Sequence, residues 1–321
     1  MHDHEQLDPD TAAHYALGME QQRLTAPRGR LELARTWELL TRHLPAPPAV
    51  VLDVGGAAGI YSLSLAARGY QVHLVDPVGL HVEQARRASA DQPHRPLASA
   101  TVGDARQLDR ADASVDAVLL LGPLYHLTAR PDRLTALREA RRVLRPAGVL
   151  LAAAISRFAS TYDGLARGYL HEPGFEAIVE RDVHDGQHRN PTQRPEWFTT
   201  AYFHLPHELP AEARAAGLTP QALLAVEGPG SFLPGVEEQL SDPAHAPRLL
   251  AAIRRVEAEP SLLGASAHLL LVAHPTPVAA DQRAAAIDGV HQPLGDVVPP
   301  VASADQRPAA TLRDHSPPAG P

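Results

Sequence analysis

From about residue 29 to 44, Leu33, Trp37, Leu40 and Leu44 recur at helical spacing with Arg30, Arg35 and Arg42 between them, which predicts an amphipathic helix. Pro45-Ala46-Pro47-Pro48 stops it. Short apolar runs, turns and helices then alternate. Residues 49–54 read as a strand, followed by a Gly-rich turn and a helix from about 58 to 68, with Gly69 suited to the left-handed position that ends it. Residues 70–75 read as a second strand, 79–90 as a helix, 98–102 as a weaker third strand and 115–121 as a strong fourth. Pro131 fits the first turn of a helix carrying Leu134, Leu137, Val143 and Leu144. Arg145-Pro146-Ala147-Gly148 turns into a fifth strand over 149–155. This alternation predicts an α/β fold with a doubly wound, mostly parallel sheet.

After Ile155 the alternation breaks. Tyr162, Tyr169, Phe175, Trp197, Phe198, Tyr202 and Phe203 gather within residues 156–205, among several turns. Such an insertion reads as a lid or substrate wall, or as a satellite core beneath a long loop. A helix near 210–216, a strand near 222–226, a helix near 247–258 and a late strand over 268–272 follow. The segment 276–321 is rich in Pro and Ala, without aromatic residues or apolar period, and reads as a disordered tail with room for a short helix over 281–287. The organisation expected is an N-terminal helical cap (1–48), a domain over 49–275 and that tail.

Composition narrows the chemistry. The 321 residues include no Cys, and all 29 basic residues are Arg, so thiolate and lysine chemistry are excluded. The net charge of −8 argues against broad nucleic-acid binding. No apolar run approaches the ~20 residues of a membrane span. The acidic start of the chain does not resemble a signal peptide, so a cytoplasmic protein without membrane association is expected.

The strongest motif is Val50-Val51-Leu52-Asp53-Val54-Gly55-Gly56-Ala57-Ala58-Gly59, in the first strand–turn–helix unit, followed by Val75-Asp76 at the end of the next strand. Small residues let backbone approach a ligand closely, and a helix N-terminus offers unpaired N–H groups. A carboxylate ending the second strand can accept both hydroxyls of a ribose. The spacing is not the G-x-G-x-x-G dinucleotide fingerprint, which removes the case for a nicotinamide dehydrogenase.

At this point the sequence resembles the class I S-adenosylmethionine-dependent methyltransferases, whose first motif runs acid-x-Gly-x-Gly-x-Gly. Those positions are Asp53, Gly55, Ala57 and Gly59 here, with Ala57 departing from the middle glycine. Val102-Gly103-Asp104-Ala105, Ser114-Val115-Asp116-Ala117-Val118 and Arg142-Val143-Leu144-Arg145-Pro146-Ala147-Gly148 match in order. The resemblance covers about residues 45–155 well, and 206–274 by topology. It implies a Rossmann-like sheet with a late antiparallel strand and S-adenosyl-L-methionine as cofactor. It places Asp53 near the methionine end, Asp76 with Pro77 at the ribose, and Asp104 with Ala105 at the adenine. The backbone at Leu121 falls beside the methionine part.

Tyr125 and His126, after the fourth strand, are the catalytic candidates. His126 is read either as a general base or as a histidine that packs and shapes the pocket. Tyr15 and Arg23, in an N-terminal stretch that includes Glu20, together with Arg157 and Tyr202, are the candidates for acceptor binding. The pairs His184/His188 and His204/His207 are set aside as metal ligands because Gly186 and Pro206 interrupt the helix each pair would need, so no metal is expected. The resulting expectation is methyl transfer to an O, N or C atom of a small-molecule acceptor. The alternatives are a tRNA wobble-base (carboxylate) methyltransferase using Arg181, Arg189 and Arg194, and a non-catalytic cofactor-binding regulator.

Overall fold

The computed structural model describes residues 7–18 and 23–277; Glu20 and nearly all of the Pro/Ala-rich segment lie outside the described residues. Helices α1 (Pro9–Ala16) and α2 (Arg30–His43) precede the sheet. β1 (Val50–Val54), β2 (Gln71–Asp76), β3 (Ser99–Val102), β4 (Val115–Leu120) and β5 (Leu144–Ser156) run parallel in the order β3-β2-β1-β4-β5. Their crossovers hold α3 (Ile60–Ala67), α4 (Gly79–Ala90), the single turn α5 (Pro123–His126) and α6 (Arg130–Val143). Side chains on both faces of β1, β4 and β5 are buried under these helices, which is why those strands read as continuous apolar runs.

The far side of β5 determines where the insertion sits. β9 (His268–Pro275) runs antiparallel to β5, from Leu150 opposite Ala273 to Ile155 opposite His268, and β8 (Leu218–Ala225) runs antiparallel to β9. On its other edge β5 keeps β4 only as far as Ala152. There β7 (Ala201–His204) takes over, pairing Phe203 with Ile155 and His204 with Ser156, and carries the short β6 (Gln187–His188) beside it. The insertion is therefore seated beyond the end of β4, against α5. It also contains α7 (Ala159–Arg167) and α8 (Phe175–Asp185), where the sequence shows only aromatics and turns. α9 (Glu208–Ala215), α10 (Val236–Ser241) and α11 (Ala246–Val256) complete the fold.

Two local expectations change. The buried face of α2 is Leu31, Arg35, Thr36, Leu39 and Leu40, rotated from the Leu33–Trp37–Leu44 stripe, which is only partly covered. The rotation follows from Arg35, which is fully buried because Glu38 and Glu257 both pair with its guanidinium. Arg145–Gly148 is not a separate turn but an irregularity within β5, between the Val115–Leu144 and Ala117–Val149 pairs.

Candidate functional site

The carboxyl ends of β1 to β4 converge on one cavity of about 470 Å³. After β1 the chain turns at Gly55, φ +73°, whose N–H donates to the Val75 carbonyl at 2.7 Å. A Cβ on Gly55 would stand 2.7 Å from the Pro123 ring, so the loops after β1 and β4 meet with no room for a side chain. Ala57 holds φ +48° and donates its N–H to Asp76 Oδ2 at 2.9 Å. Asp76 Oδ1 accepts the Val78 N–H at 2.9 Å and meets His81 Nδ1 at 3.1 Å. One buried carboxylate thus ties the loops after β1 and β2 together.

Asp53, the penultimate residue of β1, accepts the Ser62 hydroxyl at 2.6 Å. Burial pushes its carboxyl up to about 6, against the pull of the Ser62 bond and with the Asp76 charge adding. After β3, Asp104 accepts the Arg106 N–H and guanidinium, each at 2.7 Å. In α5 the Tyr125 hydroxyl donates to the Leu121 carbonyl at 3.2 Å, and His126 Nε2 shares a 2.6 Å hydrogen bond with the Tyr15 hydroxyl of α1. Burial holds His126 down at about 4 despite the Thr200 carbonyl nearby, so its imidazole is neutral at physiological pH.

A second cavity, of about 690 Å³, opens beneath the insertion. Tyr162 of α7, Phe175 of α8, Trp197, Phe198 and Phe203 give it an aromatic roof. Phe175 and Trp197 also pack on each other at 5.1 Å, so satellite core and cavity wall are the same residues.

Tyr15, Arg23, Glu32, Tyr125 and His268 line both cavities. Arg23 forks onto Glu32 at 2.7 and 3.0 Å. His268 Nδ1 bonds Glu227 Oε1 at 2.6 Å, and Glu32 Oε2 stands 4.0 Å from the same nitrogen. Glu227 Oε2 accepts the Ser266 hydroxyl and the His268 N–H, both at 3.0 Å. Burial would lower His268, but Glu32 and Glu227 outweigh it and hold the imidazole at about 9. Burial would likewise raise Glu32, but Arg23 and His268 hold it at about 2.

Residues 51–148, which span β1 to the start of β5, match the family model of a methyltransferase domain. The ubiquinone/menaquinone biosynthesis C-methyltransferase of Caulobacter vibrioides is 29% identical over 165 residues, covering 47% of this chain and 64% of that protein. Residues 51–148 thus carry a methyltransferase domain. An uncharacterized methyltransferase of Mycobacterium bovis is 36% identical over 107 residues, covering 33% of this chain and 40% of that one. The matches thus span less than two thirds of these relatives' own length. Among solved structures, the PH0226 protein of Pyrococcus horikoshii superposes with a TM-score of 0.53 at 17% identity, covering 82% and 99% of the two chains. The [4+2]-cyclase SpnF superposes at 0.50 with 20% identity, covering 76% and 82%. Both show the shared fold.

The residues of the first cavity suit S-adenosylmethionine, the cofactor of such domains. A Cβ on Gly56 would stand 2.9 Å from Asp53 Oδ2 and one on Gly103 2.9 Å from Val75 Cγ1, so neither turn has room for a side chain. Asp53, Gly55, Ala57, Asp76, Pro77, Asp104, Ala105 and Leu121 all line the first cavity. Gly59 does not; at φ +90° it caps α3 from behind.

Of the acceptor-binding candidates, Tyr15 and Arg23 stand at the junction, whereas Arg157 and Tyr202 reach neither cavity. Arg157 is buried and donates to the Phe203 carbonyl at 2.8 Å, the Tyr202 hydroxyl at 3.2 Å and Glu208 at 3.1 Å. The Tyr202 ring is covered by the Arg133 guanidinium at 3.8 Å. Both residues fasten the insertion to the sheet. His188 bonds Asp182 at 2.8 Å and the Trp197 carbonyl at 2.9 Å, and His204 meets Glu212 at 3.4 Å, so these histidines are also spent on packing.

As site residues the sequence singled out none of Glu32, Glu227 and His268. The available signal was positional: β8 is parallel to β5, so Glu227 follows a strand that ends on the ligand edge.

Proposed function

We propose that the protein transfers the methyl group of S-adenosylmethionine to a small molecule seated in the second cavity. What carries this reading is the shared wall: a cavity built on the family's motif loops meets an aromatic cavity at Tyr15, Arg23, Glu32, Tyr125 and His268. The cofactor supplies an electrophilic methyl on a sulfonium. Asp76, Asp104 and the Gly55–Ala57 backbone hold its nucleoside end, while Asp53 and Leu121 face the amino-acid end. Holding a nucleophile in line with that methyl group can supply about 7–11 kcal/mol of the barrier without an acid or base. His126 fits the packing role better than the base role. It lines only the first cavity, its Nε2 is bonded to Tyr15, and it thereby anchors α1 over the cofactor side.

The tRNA reading is weaker because two of its three arginines are engaged. Arg189 donates to the His188 and Ala201 carbonyls, and Arg194 pairs with Glu172 and Glu196. A non-catalytic role stays in view because a fold match does not fix the reaction.

Incubating the protein with methyl-labelled S-adenosylmethionine and cell extract, then reading the label by mass spectrometry, tests the proposal. Label in a metabolite is the expected result. Label confined to tRNA would favour the second reading, and cofactor binding with no labelled product the third.

A further inference from the structure

The junction between the two cavities holds a charged cluster that the methyltransferase motifs do not include. Four side chains meet there from four places in the chain: Arg23 before α2, Glu32 in α2, Glu227 after β8, and His268 at the start of β9. The donor atoms of Glu32, Glu227 and His268 lie within 4.8 Å of one another. The cluster already contains its own cations, however. Arg23 takes both oxygens of Glu32, and Glu227 is saturated by His268 Nδ1, the His268 N–H and the Ser266 hydroxyl. His268 Nε2, across the ring from the Glu227 bond, has no hydrogen-bond partner among the described residues, and the residue lines both cavities.

An imidazole fixed by a carboxylate on one nitrogen presents the other in a set direction. Two carboxylates beside Nδ1 favour the protonated ring, so the free edge is a charged N–H donor rather than a lone pair. Such a donor suits an oxygen that carries negative charge. It would repel an ammonium and leaves an uncharged amine without a base. The aromatic roof of the second cavity selects a flat, conjugated partner.

Building on the methyl-transfer reading, we propose that His268, held by Glu227 and flanked by Glu32 and Arg23, binds and orients the acceptor's nucleophilic oxygen as its anion. The acceptor is an aromatic molecule bearing a phenolate or a carboxylate, and the reaction is O-methylation. The acceptor proton is lost to solvent on binding, so none has to be removed during transfer. An oxygen lone pair forms the new O–CH3 bond, the S–CH3 bond of the sulfonium breaks, and its electron pair stays on the neutral sulfur. His268 keeps its proton throughout and acts as a positioning residue.

The test uses the full chain saturated with S-adenosylhomocysteine and three probes: para-nitrophenol, whose anion absorbs visible light; benzoate; and para-nitroaniline, a neutral relative. Para-nitrophenol is expected to bind as its anion, with its ionisation displaced to lower pH on the protein. His268→Gln and, independently, Glu227→Gln should each weaken it by about tenfold or more, well beyond any change in S-adenosylhomocysteine affinity. Binding should also fade as pH rises past about 9, where His268 loses its proton. Tighter binding of benzoate than of nitrophenolate would assign the oxygen to a carboxylate, and the reverse order to a phenol. No binding of either anion, equal binding of para-nitroaniline, or unchanged affinity in both variants overturns the proposal. Failure of the unmodified protein to bind S-adenosylhomocysteine would overturn the cofactor reading beneath it instead.

Discussion

The cavity at the ends of β1 to β4 draws its lining largely from successive strand–turn segments, each a few residues long and each marked by glycine or an acid. The cavity beneath the insertion is assembled from α2, α7, α8, the β6–β7 region and the segments flanking β8 and β9, which lie far apart in the sequence. The difference is one of construction. Backbone turns that must approach a ligand leave a local residue signature, whereas side chains that line a wall need only the right size and an anchor. The same chain can thus announce its cofactor and withhold its acceptor.

The two halves are pinned together by Arg133, and removing its partner is the largest perturbation the comparison predicts. Arg133 is 1% exposed and donates to Glu212 at 2.7 Å, to the Leu127 and Thr128 carbonyls of the first cavity's rim, and lies against Tyr202 of β7. Glu212→Ala leaves that guanidinium buried without its carboxylate and should cost about 3–5 kcal/mol in denaturant unfolding. A loss below about 1 kcal/mol would show that the insertion and the sheet are held by other contacts.

A smaller effect separates packing from chemistry at His126. Its folded-state value of about 4 lies below the ordinary 6.5, so the unfolded chain takes up the proton more readily. Stability should therefore fall as pH drops from about 6.5 towards 4. His126→Phe keeps a ring in place and should remove that acid-side loss, with kcat near normal and cofactor affinity modestly reduced. A collapse of kcat with cofactor binding intact would make His126 a base after all.

The parallel sheet and its crossover helices were legible because their apolar runs and turn residues are local. The first cavity's acids were legible because each lies at or within two residues of a strand's end. The family resemblance put Tyr15 and Arg23 at an acceptor-facing wall, and in the structure they line both cavities. Arg157 and Tyr202 were misplaced because a cation and an aromatic in an insertion look alike whether they meet a ligand or each other. Burial decided that, with Arg157 taken up by Glu208 and the Phe203 carbonyl. His268 was invisible for the converse reason: its partners, Glu227 and Glu32, are brought to it by the pairing of β8 with β9 and by the packing of α2. No spacing in the chain encodes that meeting.

The central claim is that one cavity holds S-adenosylmethionine and the other its acceptor. Isothermal titration of S-adenosylhomocysteine into the full-length protein, Asp76→Ala and His268→Gln tests it most directly. The account predicts saturable one-site binding to the unmodified chain, its loss in Asp76→Ala, where the loops after β1 and β2 come apart, and its retention in His268→Gln. Absence of binding to the unmodified chain, or equal affinity in Asp76→Ala, would contradict it.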